Sequence, residues 1–109
     1  MPRILVVDDE PDSLLAARSA LAAAGHETVL AADGERALEL LATGGFDLIV
    51  LDPAMPLHDG WPVLAAAGAV PVVAVTGAAL IGAAPVAARL AKPCAPDDLV
   101  AAVTAVLAP

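Results

Sequence analysis

The chain of 109 residues contains few basic residues, few aromatic residues and a single cysteine. Five Lys and Arg stand against thirteen Asp and Glu, which gives a formal net charge of -8. A protein that binds the phosphate backbone needs the opposite balance, so direct nucleic-acid binding is not expected. Cys94 cannot form an internal disulfide, and the amino terminus lacks the basic and apolar segments of a secretory signal. We therefore expect a cytoplasmic protein.

Charged residues are absent from residues 60–88, where hydropathy alone would suggest a membrane span. Prolines and glycines divide this stretch into pieces shorter than the roughly 20 residues that a bilayer requires. They are Pro62, Gly68, Pro71, Gly77, Gly82 and Pro85. No membrane association is expected. The stretch is instead predicted to hold one buried strand between two weakly specified segments.

Short apolar runs alternate with helical patterns along the chain, which is typical of a parallel sheet with crossover helices. Strands are predicted at residues 4–7, 28–31, 46–51 and 72–75, and more weakly at 86–91. Helices are predicted at residues 11–24 and 35–42, and a last one begins near Pro96 and continues through Val106. The length suits a single domain, residues 1–109.

Chemically active side chains follow the predicted strands. Asp8, Asp9 and Glu10 follow the first, Asp52 the third, Thr76 the fourth, and Lys92 the fifth. In parallel sheets these ends share one edge, where ligands bind. Crowded carboxylates favour a bound cation, and ligands that are all oxygen favour Mg²⁺. A lysine and a hydroxyl beside them suit a phosphoryl group, with a carboxylate nucleophile that forms an acyl phosphate.

This ordered set, with Met55-Pro56 and Asp59-Gly60 after the central acid, resembles the receiver domain of two-component response regulators. The resemblance covers residues 4–107. It implies a doubly wound, flavodoxin-like α/β fold whose five parallel strands have the order 2-1-3-4-5. It also implies a phosphoacceptor that takes its phosphoryl group from a sensor histidine kinase or a phosphotransfer protein and signals through contacts with a further protein. Such a domain is not an enzyme acting on a separate substrate, and assists only its own phosphorylation and autodephosphorylation.

The resemblance assigns a role to each matching position. Asp52 is the expected phosphoacceptor. Mg²⁺ is expected on Asp9 directly, on Asp8 mostly through water, on Asp52, and on the backbone carbonyl of Ala54. The remaining expectations are Thr76 as the switch hydroxyl, Lys92 as the counter-charge to the phosphoryl oxygens, the Gly77 N–H as a further donor, and a cis bond before Pro93.

The sequence also departs from the family pattern. Pro53 offers no backbone N–H to a phosphoryl group, and Arg89 stands where receivers usually carry a switch aromatic. The short segment before Lys92 is rich in glycine and proline, so the fourth helix is expected to be short or absent. Thr76-Gly77 and this short segment are similar to a subgroup of single-domain receivers linked to general stress signalling in alphaproteobacteria.

Two other functions remain open from the sequence. The same acids occur in pseudo-receivers, which are interaction modules that never take phosphate. An aspartyl phosphatase of the haloacid-dehalogenase type would also use a carboxylate nucleophile, but it needs a second acid two residues later. That position is Ala54.

Overall fold

The structure is a computed structural model that describes residues 1–55, 60–77 and 85–109. Five strands and four helices lie in this part of the chain. In order they are β1 (Arg3–Val7), α1 (Pro11–Ala23), β2 (Glu27–Ala31), α2 (Gly34–Thr43), β3 (Leu48–Leu51), α3 (Gly60–Ala66), β4 (Val72–Thr76), β5 (Ala88–Ala91) and α4 (Pro96–Leu107).

All five strands are parallel and form one sheet with the order β2-β1-β3-β4-β5, as predicted. Strand β3 is a continuous apolar run, and so is β1 after Arg3, which is typical of strands that are covered on both faces. Val7 pairs with Ala31 on one side and with Leu51 on the other. This register brings the ends of β1, β2 and β3 to the same level.

Two hydrophobic layers cover the sheet. Side chains alternate along β1, so Ile4 and Val6 face one layer while Leu5 and Val7 face the other. The first layer packs against α1 and α4, and the second packs against α2 and α3. Helices therefore lie on both faces, as expected for a doubly wound fold.

Helix ends follow the local signals in the sequence. Pro11 and Pro96 stand in the first turns of α1 and α4, where the missing N–H costs no hydrogen bond. The side chain of Asp33 accepts a hydrogen bond from the backbone N–H of Arg36 at 2.8 Å and caps α2. These helices agree with the predicted ranges to within a residue or two.

Two predicted strands are too long. Residues 46–51 were expected to form one strand, but β3 begins at Leu48. Phe46 packs under the Arg3 guanidinium at 4.5 Å, and the Asp47 carboxylate accepts a hydrogen bond from the Arg3 N–H at 2.8 Å. These contacts turn the segment toward the amino end of β1. Similarly, β5 begins at Ala88 rather than at Val86, whose side chain packs against the layer that contains α2 and α3.

Helix α3 was not predicted, because glycine and proline at its start are poor helix formers. Pro62 lies in the first turn, where it is tolerated, and Val63 and Leu64 are buried. The prediction of a short or absent fourth helix concerns the segment between β4 and β5, not the helix labelled α4 here. Residues 78–84 of that segment lie outside the described part. Within the described part, no helix is long and apolar enough to cross a bilayer.

Candidate functional site: strand-end acids around Lys92

The sheet places the predicted site residues along its carboxyl-terminal edge. Asp8 follows β1, Asp52 follows β3, Thr76 ends β4, and Lys92 follows β5. Backbone hydrogen bonds extend the strand pairing up to these residues: the Asp52 N–H donates to the Val7 carbonyl at 3.1 Å, and the Lys92 N–H donates to the Thr76 carbonyl at 3.0 Å. The positions of the side chains are therefore set by the sheet.

Asp8 and Asp52 begin turns of the same design. Asp8 Oδ1 accepts a hydrogen bond from the Glu10 N–H at 3.0 Å, and Asp52 Oδ1 accepts one from the Ala54 N–H at 2.9 Å. A side chain that binds its own backbone two residues later is an Asx turn. Because Pro53 has no N–H, Ala54 supplies the first backbone donor after Asp52. Each turn fixes Oδ1 of its aspartate and leaves Oδ2 for other contacts.

The Lys92 ammonium binds the two free carboxylate oxygens. Lys92 Nζ lies 2.7 Å from Asp8 Oδ2 and 3.0 Å from Asp52 Oδ2. A third contact, at 3.0 Å, joins Nζ to Glu10 Oε1. An ammonium has three N–H donors, so three carboxylates are enough to occupy all of them. Lys92 therefore compensates the negative charge of the cluster.

Burial sets the electrostatics of this cluster. The side chains of Asp8 and Asp52 are 8% and 9% exposed. Burial raises the pKa of the Asp8 carboxyl, and the hydrogen bonds from Lys92 and from the Glu10 backbone only partly offset it. For Lys92, burial alone would lower the pKa, but hydrogen bonds to Asp8, Glu10 and Asp52 outweigh it and raise the pKa above its usual value. The lysine is thus charged at neutral pH.

The acidic side chains are close enough to share a metal ion. Asp8, Asp9, Glu10 and Asp52 each offer a carboxylate oxygen, and these oxygens lie within 4.8 Å of one another. Asp9 and Glu10 are exposed, whereas Asp8 and Asp52 are buried. A set made only of oxygen donors, open to solvent on one side, fits Mg²⁺, which keeps part of its water shell.

The other predicted residues lie around this cluster. Thr76 is buried at the end of β4, and Ala54 is exposed beyond the Asp52 turn. A cavity of about 540 Å³ opens beside the acids, and Gly77 and Lys92 are among its lining residues. The bond between Lys92 and Pro93 is cis, as expected.

Gly60 is fixed by a close approach to the Asp52 turn. A Cβ at this position would lie 2.4 Å from Pro53 Cα and 2.6 Å from the Pro53 carbonyl oxygen. Only glycine fits this distance, because the contact is with backbone that cannot rotate away. The turn after β3 therefore packs directly against the start of α3.

Glu10 contacts Lys92, and this contact is not predicted from the sequence. Glu10 was noted as part of the acidic run after β1, but no role was predicted for it. The available signal was its place two residues after Asp8, because that turn brings its side chain back toward the site. The predicted roles of Asp8, Asp9, Asp52, Thr76, Gly77, Lys92 and Ala54 stay predictions, although the structure places these residues at one edge.

Comparison with known proteins identifies the family. The model of the response regulator receiver domain matches residues 4–104. The transcriptional activator protein IrlR of Burkholderia pseudomallei is 44% identical over 62 residues, which are 57% of this chain and 27% of that protein. The chain spans about a quarter of the length of the curated relatives that it matches.

Solved structures agree over almost the whole chain. The chemotaxis protein CheY4 of Vibrio cholerae superposes with a TM-score of 0.88 at 27% identity, covering 97% of this chain and 98% of that one. The response regulator TrrA of Thermotoga maritima, solved in complex with Mg²⁺-BeF, gives a TM-score of 0.86 at 28% identity, covering 97% and 99%. The chain belongs to the response regulator receiver domain family and has the CheY-like fold of two-component phosphoacceptor domains.

Proposed function

We propose that Asp52 accepts a phosphoryl group from a phosphohistidine of a sensor histidine kinase or a phosphotransfer protein. One carboxylate oxygen of Asp52 forms a bond to phosphorus while the bond from phosphorus to the imidazole nitrogen breaks. The electron pair of that bond stays on the imidazole, and the product is an acyl phosphate. The observation that carries the proposal is the Lys92 ammonium between Asp8 and Asp52, since it places a cation where phosphoryl oxygens would arrive.

Asp8, Asp9, Asp52 and the Ala54 carbonyl would hold Mg²⁺. When bound, the ion neutralises charge on the transferring phosphoryl group. The family resemblance implies that Asp9 is a direct ligand and that Asp8 acts mostly through water, and both side chains belong to the acidic cluster. The close spacing of the carboxylate oxygens supports this arrangement.

Three further groups would contact the phosphoryl oxygens. Lys92 supplies positive charge, and a hydrogen bond from its backbone N–H to the Thr76 carbonyl fixes its backbone. The Thr76 hydroxyl and the Gly77 N–H are donors at the end of β4. Because Pro53 has no N–H, these donors carry more of the oxyanion stabilisation than they would after an ordinary residue.

The same groups would assist hydrolysis of the acyl phosphate, so the domain acts only on its own phosphoryl group. Its output would be contact with a further protein. Similarity to the Thr-Gly subgroup and a cytoplasmic location also stay predictions.

A pseudo-receiver is not favoured, because the acceptor, the acidic pair and the lysine are all present at one edge. The phosphatase alternative lacks its second acid at Ala54.

Acetyl phosphate with Mg²⁺ tests the proposal without a partner. The intact mass should rise by one phosphate in the wild type and should not rise in Asp52→Asn. The matched control is Asp47→Asn, at the opposite end of β3, which should gain phosphate like the wild type. No gain in mass under saturating donor would contradict phosphoacceptor function.

A further inference from the structure

We propose that Glu10 is a positioning residue that holds the Lys92 ammonium at the site while Asp8 and Asp52 exchange it for other partners. This inference rests on the proposed function. Among the described residues, three carboxylates contact Lys92, and the inference assigns a role to the one of them that has none. Nζ lies 3.0 Å from Glu10 Oε1, and the Glu10 side chain is 60% exposed. Its partner Lys92 is only 16% exposed. The contact therefore lies at the solvent side of the cluster.

The backbone of Glu10 is fixed on both sides. Its N–H donates to Asp8 Oδ1 at 3.0 Å, and its carbonyl accepts the first hydrogen bond of α1 from the Leu14 N–H at 3.1 Å. The side chain consequently starts from a defined point beside the Asp8 turn. It reaches Lys92 across the sheet, although the two residues are far apart in sequence.

Glu10 also departs from a local rule. It occupies the N-cap position of α1, where Ser, Thr, Asp and Asn are preferred because their short side chains accept a hydrogen bond from the first turn. The Glu10 side chain makes no such capping bond. It binds Lys92 instead. Functional positions often break a local rule of stability. The missing cap at Glu10, together with its contact at the site, fits such a position.

The three partners of Lys92 differ in what phosphorylation demands of them. Asp52 Oδ2 lies on the residue that forms the acyl phosphate, and Asp8 is an expected metal ligand. Both contacts must weaken when the phosphoryl group arrives. Glu10 carries neither task, so it can keep one N–H of the ammonium while the other two turn to phosphoryl oxygens. The lysine is then restrained beside the acceptor and loses less conformational freedom in the reaction.

The ammonium itself provides the first test, which needs neither metal nor phosphate. Lys92 is the single lysine of the chain, so labelling with ¹⁵N-lysine gives one side-chain ammonium signal without assignment. In the metal-free protein, Glu10→Ser should speed exchange of the ammonium protons with water by about two- to fivefold, the effect of a solvent-exposed ion pair. Glu10→Gln, whose carbonyl still accepts a hydrogen bond, should lie between Ser and the wild type.

The matched control is Asp12→Asn. Asp12 is an exposed acid of the first turn of α1 that lines the same cavity, so this variant loses one charge near the site. It should leave the ammonium exchange unchanged. Exchange in Glu10→Ser equal to that of the wild type would overturn the proposal, and so would an equal acceleration in Asp12→Asn.

Phosphorylation by acetyl phosphate at saturating Mg²⁺ provides the second test. Glu10→Ser should lower the rate by about two- to fivefold, and Glu10→Gln should restore part of it. The urea midpoint of Glu10→Ser should not fall, because serine caps the helix that glutamate leaves uncapped. A rate loss without a stability loss separates positioning from a structural role. An unchanged rate would contradict the proposal.

Calorimetric titration with Mg²⁺ separates positioning from ligation. Glu10→Ser should bind Mg²⁺ almost as the wild type does. A loss of affinity as large as that of Asp9→Ala would make Glu10 a ligand and overturn the inference. If the wild type itself takes no phosphate, the proposed function fails, whereas the ammonium measurement still decides whether Glu10 holds Lys92.

Discussion

The turns after β1 and β3 have the same geometry and different sequences. In each, an aspartate directly follows a buried strand, accepts a hydrogen bond through Oδ1 from the N–H two residues later, and contacts Lys92 through Oδ2. Two more acids follow Asp8, whereas Pro53 and Ala54 follow Asp52. Extra carboxylates suit a turn that attracts a cation, and uncharged neighbours leave room for an incoming phosphate. The same hydrogen bond thus occurs in two turns with different proposed roles, and the neighbouring residues are what distinguishes the turns.

Asp9→Ala should have the largest effect on the contrast between the two turns, because it removes the proposed direct Mg²⁺ ligand from the turn after β1 and leaves the turn after β3 intact. Asp9→Ala is expected to weaken Mg²⁺ binding by at least about tenfold, since even outer-shell changes can cost that much. Calorimetry with Mg²⁺ measures the loss, and Asp12→Asn is the control for charge alone. Unchanged affinity would remove Asp9 from the metal site.

Gly60→Ala disturbs the contact between the turn after β3 and the start of α3, and leaves the turn after β1 unchanged. The added methyl would lie 2.4 Å from Pro53 Cα, so the turn or α3 must move, at a cost of about 1–3 kcal/mol. Urea unfolding should show this loss, and the phosphorylation rate should fall because Asp52 precedes Pro53. For stability, Gly77→Ala is the control, since its Cβ would lie an ordinary 3.8 Å from Lys92 Cβ. Equal stability of Gly60→Ala and the wild type would show that the close approach is not present in solution.

Asp8→Asn should raise the free energy of unfolding of the metal-free protein, by less than Gly60→Ala lowers it. Burial raises the pKa of Asp8, so the folded state holds the proton more tightly than the unfolded state does. Stability is therefore lost as the pH rises through the raised pKa and the carboxyl ionises. Asparagine avoids this loss, so the advantage of the variant should grow from about pH 4 to neutral pH.

Urea unfolding in the presence of a chelator, repeated over this pH range, measures that advantage. The control is Asp12→Asn, which removes a carboxylate at an exposed position. If the gap between Asp8→Asn and the wild type stayed constant with pH, the ionisation of Asp8 would not be the cause.

The smallest effect is expected at Arg89, which lies outside both turns. It stands in β5 opposite Ala74, before the strand end that carries Lys92. Arg89→Tyr restores the aromatic residue of the family pattern and should leave the phosphorylation rate within about twofold of the wild type, the range of ordinary surface changes. A collapse of the rate with acetyl phosphate would place Arg89 in the active site.

The sequence predicted best those elements whose ends are marked by a strong local signal. Apolar runs such as Ile4–Val7, followed directly by acids, predicted both a buried strand and the edge of the sheet at which the site lies. Asp8, Asp52 and Lys92 could be grouped with their neighbours because parallel strands bring their ends together whatever their distance in sequence. Ala54 and Gly77 were named only from the family resemblance. Helix starts were predictable from Pro11 and Pro96, whose fixed φ suits the first turn.

Prediction failed where tertiary contacts override local preference. Helix α3 starts with Gly60 and contains Pro62, and it forms because burial of Val63 and Leu64 outweighs their low propensity. Phe46 has strand character but packs against Arg3 instead. The contact between Glu10 and Lys92 was missed because an exposed glutamate in an acidic run usually faces solvent. Its place two residues after Asp8 was the available signal, and it was too weak to outweigh that expectation.

In the described part of the chain, Arg3 lies at the amino-terminal end of the sheet and Lys92 at the carboxyl-terminal end, and the partners of the two cations differ in chemical role. At the amino-terminal end, Arg3 bonds to Asp47 and Gly44, pairs with Glu27 and covers the ring of Phe46. None of these partners takes part in the proposed chemistry, whereas two of the three partners of Lys92 do. Phosphorylation would therefore change contacts at the carboxyl-terminal end of the sheet, around Lys92. The contacts of Arg3 at the amino-terminal end would stay the same. Movement produced by the reaction should then fade with distance down the strands.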